Sequence, residues 1–318
     1  VSDAGIMRSN LSYLTTILVI TACGGDIPQG PTPGRPSFEG QQAQDLVELQ
    51  VSFGPRIPGT VGHDRQLRWM LARLDSFAPE VIADTFTYVT TYSDSLTLVN
   101  VLARYRPEAE RRLLLLAHWD TRPRADQAKD PAQQELPVPG ANDGGSGTAV
   151  LLELARIMSD ALPPLGVDLL FVDGEDYGPE AADMFIGARR YADQLSFLSP
   201  GERPMYGVLL DMVGDADPSF PIEGYSAQHA LPVVQKVWRT AARLGYSKVF
   251  PESVGIRLSD DHVPLNEAGL QTVDIIDFTY GGSDNIYWHT PEDIPSNVSA
   301  TTLEIVGEVI TELVYSGG

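Results

Sequence analysis

Cysteine is almost absent from this 318-residue chain. Cys23 is the only one, so no disulfide bond can form within the chain. Basic residues are also scarce: 22 lysines and arginines stand against 43 aspartates and glutamates, and the formal net charge is −21. Because proteins bind nucleic-acid phosphates through clustered lysine and arginine, this charge argues against a nucleic-acid partner. We expect most of the acidic residues to form a solvated surface, part of which would favour basic peptides.

The sequence also lacks an apolar run long enough to span a bilayer comfortably. Residues 11–22 form a mostly apolar segment that follows Met7 and Arg8, which is the pattern of an export signal. The segment ends in Ile-Thr-Ala-Cys, which resembles the lipobox of bacterial lipoproteins. We therefore expect residues 1–22 to be a signal peptide and Cys23 to be lipidated; the alternative is an ordinary signal with an incidental cysteine. The expected location is the bacterial periplasm or cell envelope, with membrane contact only through the lipid anchor.

Residues 23–39 separate this segment from the rest of the chain. They are rich in glycine and proline, which predicts a flexible tether. From residue 40 to residue 318 the pattern shows neither a break nor an internal repeat, and 43% apolar residues are enough for one large core. We expect a single domain over residues 40–318 that is a monomer.

Strand and helix patterns alternate along this domain. Helices are predicted at residues 41–51, 61–74, 147–158, 180–194, 230–244 and 300–314. Strands are predicted at residues 81–91, 96–105, 112–117, 168–172, 206–212 and 272–278. The alternation predicts an α/β three-layer sandwich, in which a mixed, mostly parallel central sheet with an antiparallel edge has helices on both faces.

Acidic and histidine side chains follow several of these strands. The apolar run 113–117 leads into His118, and the run 169–172 leads into Asp173. Strands this apolar are typical of buried parallel sheets, and open α/β sheets bind ligands beyond the carboxyl ends of their strands. Acids and imidazoles gathered there are the ligands that zinc needs. The stretches concerned are residues 118–120, 140–147 with Asp143, 175–176, Asp211, 260–262 and His289.

Each of these residues has an ordinary structural explanation when it is taken alone. His118 could be a core histidine, and Asp143 a turn residue or a helix cap. The pair 175–176 could be a solvated turn, and His289 a packing residue. The chain has only five histidines, however, and three of them (His118, His262 and His289) lie in these stretches. A shared site is therefore more plausible than coincidence.

Four motifs resemble the zinc motifs of the M28 peptidase superfamily. They are residues 117–122 (AHWDTR), 140–147 (GANDGGSG), 173–178 (DGEDYG) and 288–293 (WHTPED). Two further stretches, residues 209–214 (LLDMVG) and 259–265 (SDDHVPL), resemble the animal-type, or type II, glutaminyl cyclases and their bacterial relatives. The resemblance extends from about residue 41 to the last residue, so it implies that this whole domain is a zinc-dependent catalytic domain.

The resemblance also implies roles for individual residues. Asp143, Asp176 and His289 would bind a single zinc ion and leave a fourth coordination position for substrate. Glu175 would be the general base. The other implied roles are a catalytic buried acid network for Asp211 and Asp261, and contact with the substrate or its surroundings for Trp288, Asp260 and His118.

Two departures from the animal enzymes affect this picture. Those enzymes usually have glutamate where this chain has Asp176, so the metal would lie closer to the backbone here. Residues 178–180 also supply no counterpart of their pocket tryptophan. Other aromatic residues would have to complete the pocket, and the candidates are Tyr177, Phe185 and Tyr280.

The implied activity is that of a glutaminyl-peptide cyclotransferase, which converts the N-terminal glutamine of peptides and proteins to pyroglutamate and releases ammonia. The strongest alternative is an aminopeptidase of the same superfamily. In that enzyme His118 and Asp211 hold a second zinc, Asp143 bridges the two ions, and Glu175 activates a water molecule. The ligand types do not separate the two enzymes, but the Asp-Asp-His triplet at 260–262 favours the cyclase, because the peptidases more often have Ser-Asp-His there.

Two other classes are less consistent with the residues. A lipoprotein that only binds peptides or metal would need no base beside the metal, so Glu175 argues against it. A serine hydrolase built on Ser146 is excluded, because Asp-Gly-Gly-Ser-Gly is not a nucleophile elbow.

Overall fold

Six strands form one sheet in the computed structural model, which describes Val1 and residues 30–318. Cys23 and nearly all of the predicted signal peptide therefore lie outside the described residues. The strands are β1 (Glu80–Val89), β2 (Ser95–Tyr105), β3 (Arg112–His118), β4 (Gly166–Val172), β5 (Gly207–Asp211) and β6 (Thr272–Ile276). Their order in the sheet is β1-β2-β4-β3-β5-β6.

The strand directions confirm the predicted mixed sheet. β2 is antiparallel to both of its neighbours, β1 and β4. The pairs β3 with β4, β3 with β5, and β5 with β6 are all parallel. The carboxyl ends of four consecutive strands, β4, β3, β5 and β6, therefore meet at one edge of the sheet.

Helices cover both faces of the sheet, as predicted. They are α1 (Gly40–Ser52), α2 (Val61–Asp75), α3 (Gly145–Asp160), α4 (Ile186–Gln194), α5 (Gly224–His229), α6 (Leu231–Arg243), α7 (His262–Glu267) and α8 (Ala300–Tyr315). Successive side chains of a strand point to opposite faces, so Leu113 and Leu115 of β3 pack in the larger core with α1, α3, α6 and α8. Leu114 and Leu116 pack in a smaller core with α4 and α7.

The structure differs from the predicted elements at several points, most clearly within residues 180–194. The helix expected over 180–194 is broken, since only residues 181–183 form a 3₁₀ turn before α4 begins at Ile186. Phe185 causes the break, because its φ of 57° is left-handed and cannot continue a helix. Likewise β5 ends before Met212, whose φ is 48°. The six-residue helices α5 and α7 were not predicted, because so short an element leaves no clear periodicity.

Residues 30–39, expected to belong to a flexible tether, lie against α8. The guanidinium of Arg35 is 3.2 Å from the buried carboxylate of Glu312, and the backbone N–H of Thr32 donates to the same carboxylate at 2.9 Å. Phe38 is buried against Gly307. We therefore assign these ten residues to the domain. Within the part of the chain that the structure describes, no helix is long and apolar enough to cross a membrane.

Candidate metal centre and active site

The carboxyl ends of three parallel strands position the first group of site residues. His118 is the last residue of β3 and Asp211 is the last residue of β5. Glu175 and Asp176 follow β4 after Gly174, whose left-handed φ of 72° ends the extended conformation of the strand. Because β3 lies between β4 and β5 in the sheet, the topology alone makes these side chains neighbours.

Asp143, Asp176 and His289 form a candidate metal centre. One possible ligand atom of each lies within 4.8 Å of the other two. Nε2 of His289 is 3.5 Å from Oδ2 of Asp143 and 3.4 Å from Oδ1 of Asp176. All three residues are buried, and Oδ2 of Asp176 has no hydrogen-bond partner within the described residues. Two carboxylates and one imidazole form a donor set that zinc accepts, so the residues present fit this metal.

A second layer of charged residues orients these ligands. Nδ1 of His289 lies 3.2 Å from Oδ1 of Asp126, an arrangement that places the proton on Nδ1 and leaves Nε2 for a metal. Arg122 donates to Oδ1 of Asp176 at 2.6 Å and also binds Asp126. Burial favours the neutral form of Asp126, but the hydrogen bonds from His289 and Arg122 hold its pKa well below the ordinary value. The sequence motifs did not indicate Asp126, which lies outside all of them.

Two buried carboxylates hold the loops that bear the ligands. Asp120 accepts the backbone N–H groups of Glu175 at 3.1 Å and Asp176 at 3.2 Å. Asp293 accepts the backbone N–H of Asn142 at 2.7 Å and that of Asp143 at 3.2 Å. The loop after β4 and the loop before α3 are thus fixed from behind, which orients their side chains towards the site.

His118 lies between two acids of the site. Its Nε2 is 3.1 Å from Oδ1 of Asp143 and 3.2 Å from Oδ1 of Asp211. Burial lowers the pKa of His118, but Glu175 and the hydrogen-bonded carboxylates around the ring outweigh burial and raise it well above the ordinary value. The structure thus brings together the residues that would hold a second zinc in an aminopeptidase, at distances that also suit direct hydrogen bonds.

Three acids line one small cavity together with the metal centre. The cavity has a volume of about 230 Å³, and Glu175, Asp211 and Asp260 contribute to its wall. Burial raises the pKa of Glu175 well above its ordinary value. Asp261, predicted to share the acid network with Asp211, is buried outside the cavity lining, and burial raises its pKa to about 8. Of the adjacent pair, the structure therefore places Asp260 at the cavity.

An aromatic wall closes one side of the cavity. Trp288 lies there, as the motif indicated, stacked on His289 with ring centroids 3.8 Å apart. Phe278 packs edge-on against Trp288 at 4.9 Å, and both rings also border an adjoining groove of about 690 Å³.

None of the three aromatic residues proposed to complete the pocket belongs to the described cavity wall. Tyr280 is buried beside it and donates to Asp293 at 3.0 Å, whereas Phe185 borders a separate groove and Tyr177 a separate cleft. Phe278 lines the cavity beside Trp288 instead of these three residues. Its one sequence signal was its position after β6, at the same sheet edge as the other site residues.

Comparison with known proteins places the chain in a family. Residues 100–314 match the model of peptidase family M28. The glutaminyl-peptide cyclotransferase of Drosophila melanogaster is 27% identical over 281 residues, which cover 80% of this chain and 75% of that protein.

Solved structures overlap the chain more completely. The glutaminyl cyclase of Tannerella forsythia is 35% identical, with a TM-score of 0.84, over 89% of this chain and 100% of that one. A leucine aminopeptidase precursor from Bacteroides thetaiotaomicron is 34% identical, with a TM-score of 0.83, over 89% and 99%. The matched sequence, the shared fold and the position of the motifs at one sheet edge together show that the chain belongs to peptidase family M28.

Proposed function

We propose that this protein is a glutaminyl-peptide cyclotransferase, which converts the N-terminal glutamine of peptides and proteins to pyroglutamate. The observation that carries the proposal is the cavity of about 230 Å³, in which Glu175, Asp211 and Asp260 face the candidate metal centre. Pockets for drug-sized ligands are larger, roughly 300–1,000 Å³, so this one suits a single N-terminal residue. The similarity to bacterial glutaminyl cyclases supports the same activity.

Asp143, Asp176 and His289 would hold one zinc ion. Bound there, zinc would supply a Lewis acid for the γ-amide carbonyl of the substrate glutamine. Asp126 and Arg122 keep the imidazole and the carboxylate in place for it.

Glu175 is the proton carrier of the proposed reaction. Its carboxylate accepts a proton from the α-amine as the amine nitrogen forms a bond to Cδ of the side chain, and it returns that proton to the departing amide nitrogen, which leaves as ammonia. Burial makes the charged carboxylate a stronger base than it is in water, because burial raises its pKa. The amine and the carbonyl belong to one residue, so proximity provides much of the rate enhancement.

The other cavity residues bind and orient the substrate. The carboxylates of Asp211 and Asp260 are acceptors for the N–H groups of the α-amine. Trp288 and Phe278 contact the aliphatic part of the glutamine and limit the access of water. Asp261 supports this network from behind the cavity, since it is fully buried next to Asp260.

An aminopeptidase is the second candidate, and one observation favours it. Nε2 of His118 lies 3.1 Å from Asp143 and 3.2 Å from Asp211, which is also the spacing of ligand atoms that share a metal ion. The leucine aminopeptidase precursor from Bacteroides thetaiotaomicron, compared above, has the same overall fold.

A substrate comparison combined with a metal count separates the two candidates. A protein consisting of residues 30–318 is incubated with glutaminyl and leucyl dipeptides. Ammonia release and peptide-bond cleavage are recorded in parallel. We expect ammonia from the glutaminyl peptide, no cleavage of either peptide, and one zinc per chain in both the wild type and His118→Ala, which should lose activity. Two zinc ions in the wild type that fall to one in His118→Ala, with cleavage of the leucyl peptide, would establish the aminopeptidase instead.

We also propose that the protein is a monomer anchored in the bacterial periplasm or cell envelope through a lipid on Cys23. The lipobox-like sequence before Cys23 supports the anchor, and the substrates would be peptide or protein N-termini in the same compartment.

A further inference from the structure

The groove that adjoins the catalytic cavity has no task in the proposed reaction. Its volume is about 690 Å³, and Phe278 and Trp288 belong both to its wall and to the wall of the cavity. The cyclisation takes place within one residue of the substrate, so it uses the cavity alone. A peptide substrate also has a chain beyond its first residue, and this chain must leave the cavity across some part of its rim.

The orientation of the first residue directs the following chain towards this groove. In the proposed reaction the α-amine of the glutamine faces Asp211 and Asp260, and its γ-amide faces the candidate metal centre. The carbonyl group is the remaining substituent of Cα, so it points away from these acids. The wall formed by Phe278 and Trp288 is continuous from the cavity into the groove. A second groove, of about 640 Å³, meets the cavity at Ser259, next to Asp260 and thus on the side that the amine occupies.

Acidic side chains predominate along the groove. Asp130, Asp284 and Glu292 line it, and they are opposed by the single positive charge of Lys129 among the described lining residues. All four residues are exposed, so water and salt screen each charge and each contributes modestly to binding. Oδ1 of Asp130 accepts the backbone N–H of Ala132 at 3.0 Å, which ties this carboxylate to its own turn. The net effect is a groove that attracts positive charge.

We propose that this groove binds the second and third residues of the peptide substrate and selects peptides with lysine or arginine at these positions. Its continuity with the cavity supports the first part, and its excess of acidic side chains supports the second. The volume lies within the range of about 300–1,000 Å³ that is typical of ligand sites, which suits a short peptide segment. The inference rests on the proposed cyclotransferase activity, because it names the class of peptide that this activity would process.

Three glutaminyl tripeptide amides test the preference, with lysine, alanine or glutamate at both positions after the glutamine. We expect kcat/KM for ammonia release to be highest for the lysine peptide and lowest for the glutamate peptide. The ratio between these two should be about 5–20-fold, the size expected for a few exposed charge pairs. The difference should lie in KM, because a remote side chain is attracted equally before and during the reaction. It should also shrink as salt is added.

Substitutions of opposite sign show whether the groove itself sets the preference. Asp284→Asn and Glu292→Gln each remove a negative charge with little change of shape, so each should lower the lysine-to-glutamate ratio of kcat/KM about 2–5-fold. Lys129→Gln removes the opposing charge and should raise the ratio.

The matched control is Asp193→Asn, which removes an exposed acid from the second groove and should keep the ratio of the wild type. An unchanged ratio in every variant would show that the net charge of −21, rather than the groove, attracts basic peptides. A ratio that falls in Asp193→Asn alone would place the peptide in the second groove. Either result would overturn the proposal.

A binding measurement without turnover keeps the test independent of the proposed function. The pyroglutamyl forms of the lysine and glutamate peptides carry the same two side chains and cannot cyclise again, so calorimetry gives their affinities directly. The lysine form should bind more tightly to the wild type, and the difference should shrink in Asp284→Asn. Equal affinities of the two forms would overturn the groove assignment. Absent ammonia release from all three glutaminyl peptides, with the lysine preference retained in calorimetry, would overturn only the cyclotransferase assignment.

Discussion

At Glu175 a local turn and the surrounding burial both favour the proposed role of a general base. Gly174 has a left-handed φ of 72°, Asp120 accepts the backbone N–H of Glu175, and the side chain of Glu175 lines the cavity. In water the same carboxylate would be a weak base, but burial raises its pKa. The basicity of this carboxylate therefore depends more on its burial than on its being a glutamate.

Glu175→Gln should retain the metal and lose turnover. The amide has the same shape but cannot accept the amine proton, while Asp143, Asp176 and His289 still form the candidate metal centre. We expect ammonia release to fall by about 10²–10⁴-fold with unchanged zinc content, measured by a coupled ammonia assay and elemental analysis. Glu202→Gln, at an exposed position, is the control, and near-normal activity of Glu175→Gln would exclude Glu175 as the base.

At the scale of elements, the candidate ligands lie in loops that follow strands. Hydrogen bonds from residues of another loop fix each of these loops. The long connection between β3 and α3 contains both the candidate ligand Asp143 and Asp126, which contacts the ring of His289. His289 itself has a left-handed φ of 53°. Such a conformation is unfavourable for a residue with a side chain, so neighbouring contacts must maintain it.

Asp126→Asn should weaken metal binding while the fold persists. Asparagine cannot match a charged acceptor for Nδ1 of His289, and loss of such an outer partner typically lowers metal affinity about 10–100-fold. Zinc titration against a competing chelator measures the effect, with the urea midpoint recorded in parallel. Asp130→Asn, at an exposed position in the same connection, should bind zinc normally, and equal affinities for the two variants would contradict the role of Asp126.

The packing of residues 30–39 on α8 can be tested with one methyl group. In a helix, alanine is favoured over glycine by about 0.8–1.0 kcal/mol. At Gly307, however, an added Cβ would overlap the ring of Phe38. Gly307→Ala should therefore lower the free energy of unfolding by about 1–3 kcal/mol, the usual cost of overpacking.

A second background shows whether Phe38 causes that loss. In Phe38→Ala the ring is gone, so Gly307→Ala should stabilise the protein there, as the helix propensity alone predicts. Urea denaturation of the four proteins gives the comparison. If Gly307→Ala has the same effect in both backgrounds, residues 30–39 do not pack on α8 in solution.

At the scale of the whole molecule, the excess of acidic residues and the lipobox-like segment affect where the protein is located and what it binds. They do not affect the proposed reaction. The net charge of −21 keeps the protein away from polyanions. The residues of the candidate active site named above all lie between residues 118 and 289, so we expect anchoring and catalysis to be separable.

Cys23→Ser should release the protein from membranes or block its processing, while the catalytic domain keeps its activity. Serine has no thiol to accept a lipid, and Cys23 is the only cysteine of the chain. Cell fractionation followed by immunoblotting gives the location, and ammonia release from a glutaminyl peptide gives the activity. A cleaved Cys23→Ser species that still fractionates with membranes would show that another feature anchors the protein.

The sequence by itself determined the elements and the residues whose chemistry is local. Period and apolarity predicted all six strands and most helices, and the motifs indicated Asp143, Glu175, Asp176 and His289. The prediction of a continuous helix over residues 180–194 was wrong because Phe185 has a left-handed φ. The periodicity of a sequence does not indicate a single left-handed residue.

Only the tertiary structure decided which side chains face one another. Phe278 and Asp126 carry no motif, and the fold brings each of them to its partner: Phe278 contacts Trp288, and Asp126 contacts His289. The choice between Asp260 and Asp261 was likewise decided by the fold. Adjacent residues differ in direction, and α7, which starts immediately after this pair and packs against β6, holds the chain so that Asp260 lines the cavity and Asp261 does not.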